Sequence, residues 1–387
     1  MDGIYDLVRT AKRENNAKRP YLYVNPLQGK HMPVAPGRSL ALFAELAERV
    51  ERAFSGESLL VIGFAETATA IGLAVACGAS NVKYCVCTTR EDVPGAEYQF
   101  FTESHSHAAE QRLAVNGLLE ALSRVDRVLF VEDEVTTGNT IEKLMNALRE
   151  RYPAVRLRFG IASILNSMLK ERMEELEGQG VPCIYLGKIP ERFGEEKLSM
   201  YAYEPLAAEP EVSCGVPVRI LRMGNYRNFR LVCPADAARE TCLGFTGEAV
   251  RRVSVPAGAG RILVLGTEEY MYPAMVFADA LKKAHPEVSV LFHATTRSPI
   301  EVSRDPEYPL HRRAPLISLY DSGRRTFVYN LAAYDRAVIV TDAADVSAAA
   351  DGIRSLAAAL NACGNKEIEL ICQGERFGGS YEEQLFR

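Results

Sequence analysis

The apolar run at residues 128–131 leads directly into two carboxylates, Glu132 and Asp133. A short polar run follows, made of Thr136, Thr137, Gly138, Asn139 and Thr140, and a helical pattern begins after it. Backbone N–H groups at the start of a helix favour an anion, and glycine lets the backbone approach a ligand closely. Carboxylates one short loop away can accept hydrogen bonds from sugar hydroxyls. The segment therefore predicts a site for a phosphorylated sugar, whereas simple helix capping would need only one residue of this kind.

Short apolar runs alternate with helical patterns on either side of this segment. The predicted strands cover residues 59–62, 82–87, 127–131 and 157–164, and the predicted helices cover residues 40–54, 67–76, 111–122 and 141–152. Such alternation is typical of βαβ units, and therefore of a mostly parallel α/β sheet with flanking helices. Functional side chains are expected at the carboxyl ends of its strands. Residues 88–108 show neither period, and this pattern is typical of a mobile surface loop.

Three segments of this region recur in the second half of the chain. LLVIGFAE (59–66) matches ILVLGTEE (262–269), CTTR (87–90) matches ATTR (294–297), and VLFVED (128–133) matches AVIVTD (337–342). The common order and similar spacing predict a second α/β copy of similar fold. That copy lacks the paired acids and the Thr-Thr-Gly turn, so it is degenerate. We predict domains at residues 1–205 and 261–387, with a linker and irregular subdomain at residues 206–260.

The bulk composition limits the classes of protein that fit this sequence. A chain of 387 residues with 48% hydrophobic and 25% charged residues has the balance of a folded protein of about two domains. A net charge of -5 argues against a general nucleic-acid-binding surface. The nine cysteines are scattered through apolar stretches, which is typical of reduced core residues. Without an apolar run of membrane-spanning length or a signal-peptide core, we expect a cytoplasmic protein with no membrane partner.

The segment from residue 128 to residue 141 resembles the phosphoribosyl-diphosphate-binding signature of type I phosphoribosyltransferases. That signature has four apolar residues, two acids, two variable positions, then Thr-Gly and a hydroxyl residue. This chain departs from it only at Glu134, where many members carry a neutral residue. The resemblance implies a type I phosphoribosyltransferase-like parallel sheet, with Glu132 and Asp133 at the ribose.

The same family holds the diphosphate with a short loop after its first core strand. Here that place is taken by Gly63, Phe64, Ala65, Glu66 and Thr67, continuing to Thr69. The loop contains no lysine or arginine, so backbone N–H groups and threonine hydroxyls would have to bind the diphosphate. The alternative is a tight strand-to-helix turn without a ligand.

The polar stretch at residues 88–108 corresponds to the family's flexible loop, which closes over the reacting centre. It offers Arg90 as a cation for the diphosphate. It also holds Glu103, His105 and His107, with the two histidines as candidates for handling the acceptor's proton. Two alternatives stay open for them, namely solvated loop residues and a metal site that includes Glu103.

A closer resemblance covers nearly the whole chain. Residues 23–31 (YVNPLQGKH), residues 103–107 (ESHSH) and residues 296–299 (TRSP) are similar to a two-part family, in which a phosphoribosyltransferase domain precedes a TRSP domain. That family is associated with tellurium-resistance and stress-response gene clusters, and with biosynthesis of a nucleotide-like metabolite. In the second domain, Arg297 and Ser298 are candidates for binding an anionic group.

The resemblance implies transfer of 5-phosphoribosyl from phosphoribosyl diphosphate to a small-molecule acceptor, with release of diphosphate. The expected cofactor is Mg²⁺, held mainly by the ligand, with Asp133 as a candidate protein ligand. A non-catalytic regulator that binds phosphoribosyl diphosphate is the alternative. A phosphoribosyl-diphosphate synthetase is disfavoured, because synthetases keep the acidic signature in the second copy rather than the first. The acceptor is not readable from the sequence, and a homodimer is compatible with it.

Overall fold

The structure is a computed structural model that describes residues 8–16, 19–101, 111–205, 209–213, 215–256, 258–343, 345–373 and 384–386. The chain divides into two compact units, the first made of Leu40–Arg192 and Asn228–Thr241, the second of Asp2–Ser39, Phe193–Arg227 and Cys242–Arg387. These units do not coincide with the predicted boundaries near residues 205 and 260. The amino-terminal segment joins the second unit because Val34 and Phe292 exchange two backbone hydrogen bonds, of 2.9 and 2.8 Å.

Short strands are the most numerous elements among the described residues. They are β1 (Arg9–Lys12), β2 (Tyr21–Val24), β3 (Leu59–Gly63), β4 (Val82–Cys87), β5 (Tyr98–Phe100), β6 (Arg112–Ala114), β7 (Arg127–Val135), β8 (Phe159–Asn166), β9 (Cys183–Lys188), β10 (Val218–Met223), β11 (Cys233–Pro234), β12 (Arg261–Gly266), β13 (Ser289–Ala294), β14 (Arg313–Ile317), β15 (Arg325–Tyr329), β16 (Arg336–Thr341), β17 (Ile368–Gln373) and β18 (Gln384–Phe386).

Helices connect many of these strands. They are α1 (Pro36–Ala53), α2 (Ala68–Gly78), α3 (Leu118–Leu122), α4 (Asn139–Arg151), α5 (Lys170–Gly178), α6 (Ala235–Arg252), α7 (Tyr272–Ala284) and α8 (Ala350–Ala362), with a 3-10 helix at Glu195–Met200. Among the described residues, no helix combines the length and apolar character needed to cross a membrane.

The first unit contains a six-stranded sheet in the order β11-β4-β3-β7-β8-β9. All neighbouring pairs are parallel except β11 and β4. Strands β3 and β8 are buried along their whole lengths, as expected for a parallel sheet covered on both faces. The predicted α/β class with a parallel sheet is confirmed.

The second unit contains a six-stranded sheet in the order β13-β12-β16-β17-β10-β18. Strand β10 is parallel to β17, although it precedes the rest of the copy in the chain, and β18 is antiparallel to β10. The core on one side of this sheet joins apolar residues of β12, β16 and β17 to those of α8.

The register of the two sheets confirms the internal repeat. In the first sheet Gly63 lies opposite Cys87 and Val131. In the second sheet Gly266 lies opposite Ala294 and Val340. These are the pairs that the sequence match aligned, so the two copies share strand order and register over β4-β3-β7 and β13-β12-β16.

Two predicted elements are wrong. Residues 111–122 form strand β6 and the short helix α3, not one helix, because β6 pairs with β5 and Gly117 takes a left-handed backbone with φ of 75°. Residues 206–260 are not irregular, since they hold β10, β11 and the 18-residue helix α6. Gly244 and Gly247 lie inside α6, and interior glycines weaken a helical sequence pattern.

Candidate functional site

The candidate site lies at the carboxyl ends of β4, β3 and β7 in the first unit. Strand β3 lies between the other two, and helices α2 and α4 follow β3 and β7 along the chain. Gly63 ends β3, Thr88 directly follows β4, and the acids lie in β7. Open α/β sheets bind ligands in the crevice at this kind of strand-order reversal.

Two backbone N–H groups of the loop after β3 donate hydrogen bonds, one to β7 and one to the side chain of the residue that follows β4. The Phe64 N–H donates to the Val131 carbonyl at 3.0 Å, and the Ala65 N–H donates to Thr88 Oγ1 at 2.8 Å. The peptide bond between Ala65 and Glu66 is cis. These two N–H groups already have acceptors within the protein. The backbone N–H groups of residues 66–68, at the amino end of α2, therefore remain as the predicted donors for the diphosphate.

Gly63 permits the close approach of α2 to the end of β3. A Cβ atom at Gly63 would lie 2.9 Å from the Ala68 carbonyl oxygen and 3.3 Å from the Gly72 Cα. Any larger residue would therefore push the start of α2 away from the sheet. The glycine of this loop thus positions the helix whose amino end faces the candidate site.

The acidic pair is part of strand β7, which continues through Val135 instead of ending at residue 131. Glu132 lies opposite Ser163 of β8, and Glu134 lies opposite Leu165. Because side chains alternate along a strand, Glu132 and Glu134 project from one face and Asp133 from the other. All three acids are only partly exposed.

This arrangement perturbs the electrostatics of the acids. Burial raises the pKa of Glu132 well above its ordinary value, and the carboxylates of Asp133 and Glu134 raise that pKa further. The positive charge of Arg90 acts in the opposite direction and lowers it. Arg90 and the acids therefore lie in one electrostatic environment, although 42 residues separate Arg90 from Glu132 in the sequence.

The Thr-Thr-Gly turn leads into α4, as the motif predicted. Gly138 has φ of 74°, which favours glycine, and α4 starts at Asn139. The Asn139 N–H donates to Thr137 Oγ1 at 3.3 Å. The Thr137 carbonyl accepts from Arg172 Nε at 3.2 Å, so α5 holds the turn in place. Thr136 is half-buried and Thr140 lies in the first turn of the helix.

Several residues near the site were missed by the sequence reasoning. Arg112 of β6 pairs with Asp92 at 2.7 Å and lies 4.4 Å from the centre of the Tyr98 ring. At the ends of β8 and β9, Lys188 Nζ donates to Asn166 Oδ1 at 2.8 Å. Lys188 is the last residue of β9, and functional side chains are expected at strand ends. The sequence analysis missed Lys188 because it predicted no strand at this place.

The predicted proton-handling residues His105 and His107, and Glu103 of the alternative metal site, lie outside the described residues. Around them, the stretch predicted as a loop contains β5, which pairs with β6. The Thr89 N–H donates to the Arg112 carbonyl at 2.8 Å, so β6 also contacts the segment after β4.

The candidate anion residues of the second unit already have protein partners. Arg297 pairs with Glu268 at 2.7 Å and with Glu269 at 3.2 Å. The Ser298 N–H donates to Thr296 Oγ1 at 3.2 Å, and the Ser298 carbonyl accepts from the Tyr329 hydroxyl at 2.8 Å.

Comparison with known families agrees with this geometry. Residues 7–183 match the family described as phosphoribosyl transferase, and residues 235–360 match the TRSP domain that lies C-terminal to it. The chain belongs to the two-part family that joins these domains. The predicted family and the predicted enzyme class, a phosphoribosyltransferase, are confirmed.

The first half of the chain is also similar to solved structures of phosphoribosyltransferases. They include APRTase from Giardia lamblia complexed with 9-deazaadenine, at 11% identity over 49% of this chain and 97% of that chain, with a TM-score of 0.36. Adenine phosphoribosyltransferase from Rhodothermus marinus has 17% identity over 49% and 97%, with a TM-score of 0.34. The enzyme from Trypanosoma brucei, in complex with AMP, pyrophosphate and ribose-5-phosphate, has 12% identity over 48% and 78%, with a TM-score of 0.32. No curated protein matches the chain.

Proposed function

We propose that the first unit transfers the 5-phosphoribosyl group from phosphoribosyl diphosphate to a nitrogen of a heterocyclic acceptor. The observation that carries this proposal is that the ends of three neighbouring strands bring together the amino end of α2, Arg90 and the acidic pair, with Arg90 close enough to lower the pKa of Glu132. These are a diphosphate site, a cation for it and acceptors for ribose hydroxyls. The product would be a nucleotide-like metabolite.

Each part of the donor has its own place in this proposal. The diphosphate lies at the amino end of α2, beside residues 66–68 and Arg90. The 5-phosphate lies at the amino end of α4, where Thr136, Gly138 and Thr140 surround it. Helix amino ends favour anions through their backbone N–H groups and the helix dipole. Glu132 and Asp133 lie between the two and accept hydrogen bonds from the ribose hydroxyls.

The reaction breaks the bond from ribose C1′ to the diphosphate oxygen and forms a bond from C1′ to the acceptor nitrogen. Positive charge develops on the ribose ring as the diphosphate leaves. The carboxylates of Glu132 and Asp133 stabilise that charge, and the binding sites at the two helices hold the reacting atoms in line. His105 or His107 would take the acceptor's proton, which remains a prediction.

The residues of the crevice fit the Mg²⁺ ion expected from the family. Magnesium prefers oxygen ligands and is held through one or two carboxylates together with substrate phosphates. Asp133 projects from the opposite face of β7 to Glu132 and offers one such carboxylate. The ion would neutralise the departing diphosphate. Among the described residues, no cluster of three or more His, Cys, Asp or Glu side chains forms a metal site, so the ligand would supply the other oxygens.

Calorimetric titration with phosphoribosyl diphosphate and Mg²⁺, followed by a diphosphate-release assay over a panel of heterocycles, tests the proposal. We expect Asp133→Asn to weaken donor binding at least about tenfold, because it removes a charged hydrogen-bond acceptor. The control Glu120→Gln lies on α3, where the native carboxylate is exposed and pairs with Arg124 at 3.0 Å. It should leave binding unchanged. Donor binding without release for any acceptor would favour a regulatory protein, and unaltered affinity of Asp133→Asn would refute the site.

A further inference from the structure

The second unit repeats the loop of the candidate site, but with a carboxylate inside it. In the first unit the Ala65 N–H donates to Thr88 Oγ1 at 2.8 Å, and in the second the Glu268 N–H donates to Thr295 Oγ1 at 3.0 Å. The same hydrogen bond therefore fixes the same loop in both copies. Glu268 stands where the first copy has the small residue Ala65.

The arginine of the loop is also repeated, and Glu268 binds it. Arg90 comes two residues after Thr88, and Arg297 comes two residues after Thr295. Arg297 Nε donates to Glu268 Oε2 at 2.7 Å, while its Nη2 donates to Glu269 at 3.2 Å.

Glu268 gathers further donors around its two carboxylate oxygens. Arg324 Nη2 lies 3.1 Å from Oε2, and the Ser318 hydroxyl donates to Oε1 at 2.5 Å. The Glu268 side chain is only 1% exposed. Two guanidinium groups and a hydroxyl on one buried carboxylate are the set of donors that binds a phosphate group.

The backbone at Glu268 indicates that its side chain has a specific role. Its φ is 49°, a left-handed conformation that glycine or asparagine adopts at lower cost than glutamate. Lys30, which is 1% exposed, donates from Nζ to the Glu268 carbonyl at 3.1 Å and to the Thr295 carbonyl at 3.0 Å. Position 268 thus holds a glutamate although its left-handed backbone conformation disfavours that residue.

In the second unit, the acid that corresponds to Asp133 is also bound by a side chain of the protein. Asp342 matches Asp133 in the sequence repeat, and it accepts a hydrogen bond from the Tyr320 hydroxyl at 2.7 Å. At the carboxyl ends of the neighbouring strands β12 and β16, Thr267 Oγ1 donates to Thr341 Oγ1 at 2.9 Å. The Tyr320 hydroxyl therefore donates to Asp342, where a ribose hydroxyl would donate to Asp133 in the first unit.

From these contacts we infer that the second unit is a self-liganded copy of the site, in which the Glu268 carboxylate takes the place of a bound diphosphate. The carboxylate pairs with both Arg297 and Arg324, so a phosphate-bearing ligand would have to displace it. Replacement of Glu268 by an uncharged residue removes this carboxylate from Arg297 and Arg324, while Glu269 still pairs with Arg297 and Asp321 lies 4.0 Å from Arg324. The expected result is a new site for inorganic diphosphate.

The test uses the full chain with Arg90→Ala, which weakens any diphosphate site in the first unit. Into it we introduce Glu268→Gly, which removes the carboxylate and suits the backbone conformation. Calorimetry with inorganic pyrophosphate should show one site at least about tenfold tighter than in the Arg90→Ala parent, the size expected for unmasking charged donors. Glu269→Gln in the same background leaves Glu268 in place and should show no gain.

Each outcome decides for or against the inference. Folded Glu268→Gly and Glu268→Asn proteins that bind no pyrophosphate refute it, as does a parent protein that already binds pyrophosphate in the second unit. Variants that fold cooperatively only when pyrophosphate is present support it, and variants that stay unfolded with pyrophosphate count against it. The inference does not depend on the proposed function. The gain in pyrophosphate affinity is measured at the second unit, even if the first unit does not bind phosphoribosyl diphosphate.

Discussion

Replacing Glu132 by glutamine should stabilise the protein at alkaline pH while it abolishes donor binding. Burial, with Asp133 and Glu134 nearby, raises the pKa of Glu132 well above the ordinary 4.5. The folded protein therefore keeps this proton at pH values where the unfolded chain has released it. Because the folded state binds more protons over that interval, the free energy of unfolding falls as pH rises from about 4.5 through the raised pKa.

The size of the effect follows from the surroundings of Glu132. Above the raised pKa the folded protein must hold an ionised carboxylate beside two others, and glutamine removes that cost. A single substitution that stabilises a natural protein commonly contributes about 0.5–2 kcal/mol. The Glu132 side chain is only partly buried, so we expect a stabilisation in the lower half of this range, about 1 kcal/mol. This corresponds to an increase of roughly 2–4 °C in melting temperature for a unit of this size. Near pH 4 the difference should approach zero, since the carboxyl is then neutral.

Urea and thermal unfolding of both proteins at pH 4 and pH 8 measure this difference, and titration with phosphoribosyl diphosphate measures the loss of function. The exposed Glu120→Gln serves as control and should change stability by less than about 0.5 kcal/mol at either pH. A Glu132→Gln protein with the same stability change at pH 4 and pH 8, or one destabilised at pH 8, would refute the reasoning about burial and charge.

Three further predictions follow from single contacts. Arg90→Ala should raise the dissociation constant for phosphoribosyl diphosphate about tenfold or more with little change in melting temperature, and equal affinity would remove Arg90 from the diphosphate site. Gly63→Ala should cost about 1–3 kcal/mol because the new Cβ lies 2.9 Å from a backbone carbonyl of α2, whereas Gly178→Ala, with open space around it, should not destabilise. Cys85 should resist alkylation in the folded protein, because its hydrogen bond with Cys233, at 3.5 Å, and its burial raise its pKa; rapid labelling followed by mass spectrometry would contradict this.

Local sequence pattern was sufficient where an element is buried along its length. Strand β4 was predicted with its observed limits, and β3 differs only by its final glycine. A continuous apolar run bounded by polar residues has few alternatives to a central parallel strand. The same reasoning aligned Gly63 with Gly266, and the matched registers of the two sheets confirm that alignment.

The local sequence pattern gave wrong predictions where an element forms by pairing with a distant part of the chain. Residues 112–114 form a strand because β5 pairs with them, and β10 enters the second sheet beside β17, about 150 residues later in the chain. No local periodicity reports such pairing, because strand formation depends on neighbours that are remote in sequence.

The sequence by itself determined the alternation of buried strands and helices around the candidate site, the repeat, and the place of the acidic pair in the last strand before the Thr-Thr-Gly turn. These depend on the alternation of apolar and polar residues, which is written locally. Only the tertiary structure decided what the charges do. Glu132 and Glu268 are both glutamates near strand ends, but burial raises the pKa of the first, while two arginines surround the second. The strength of a charge interaction depends on distance and burial, and both are set by residues that only folding brings together.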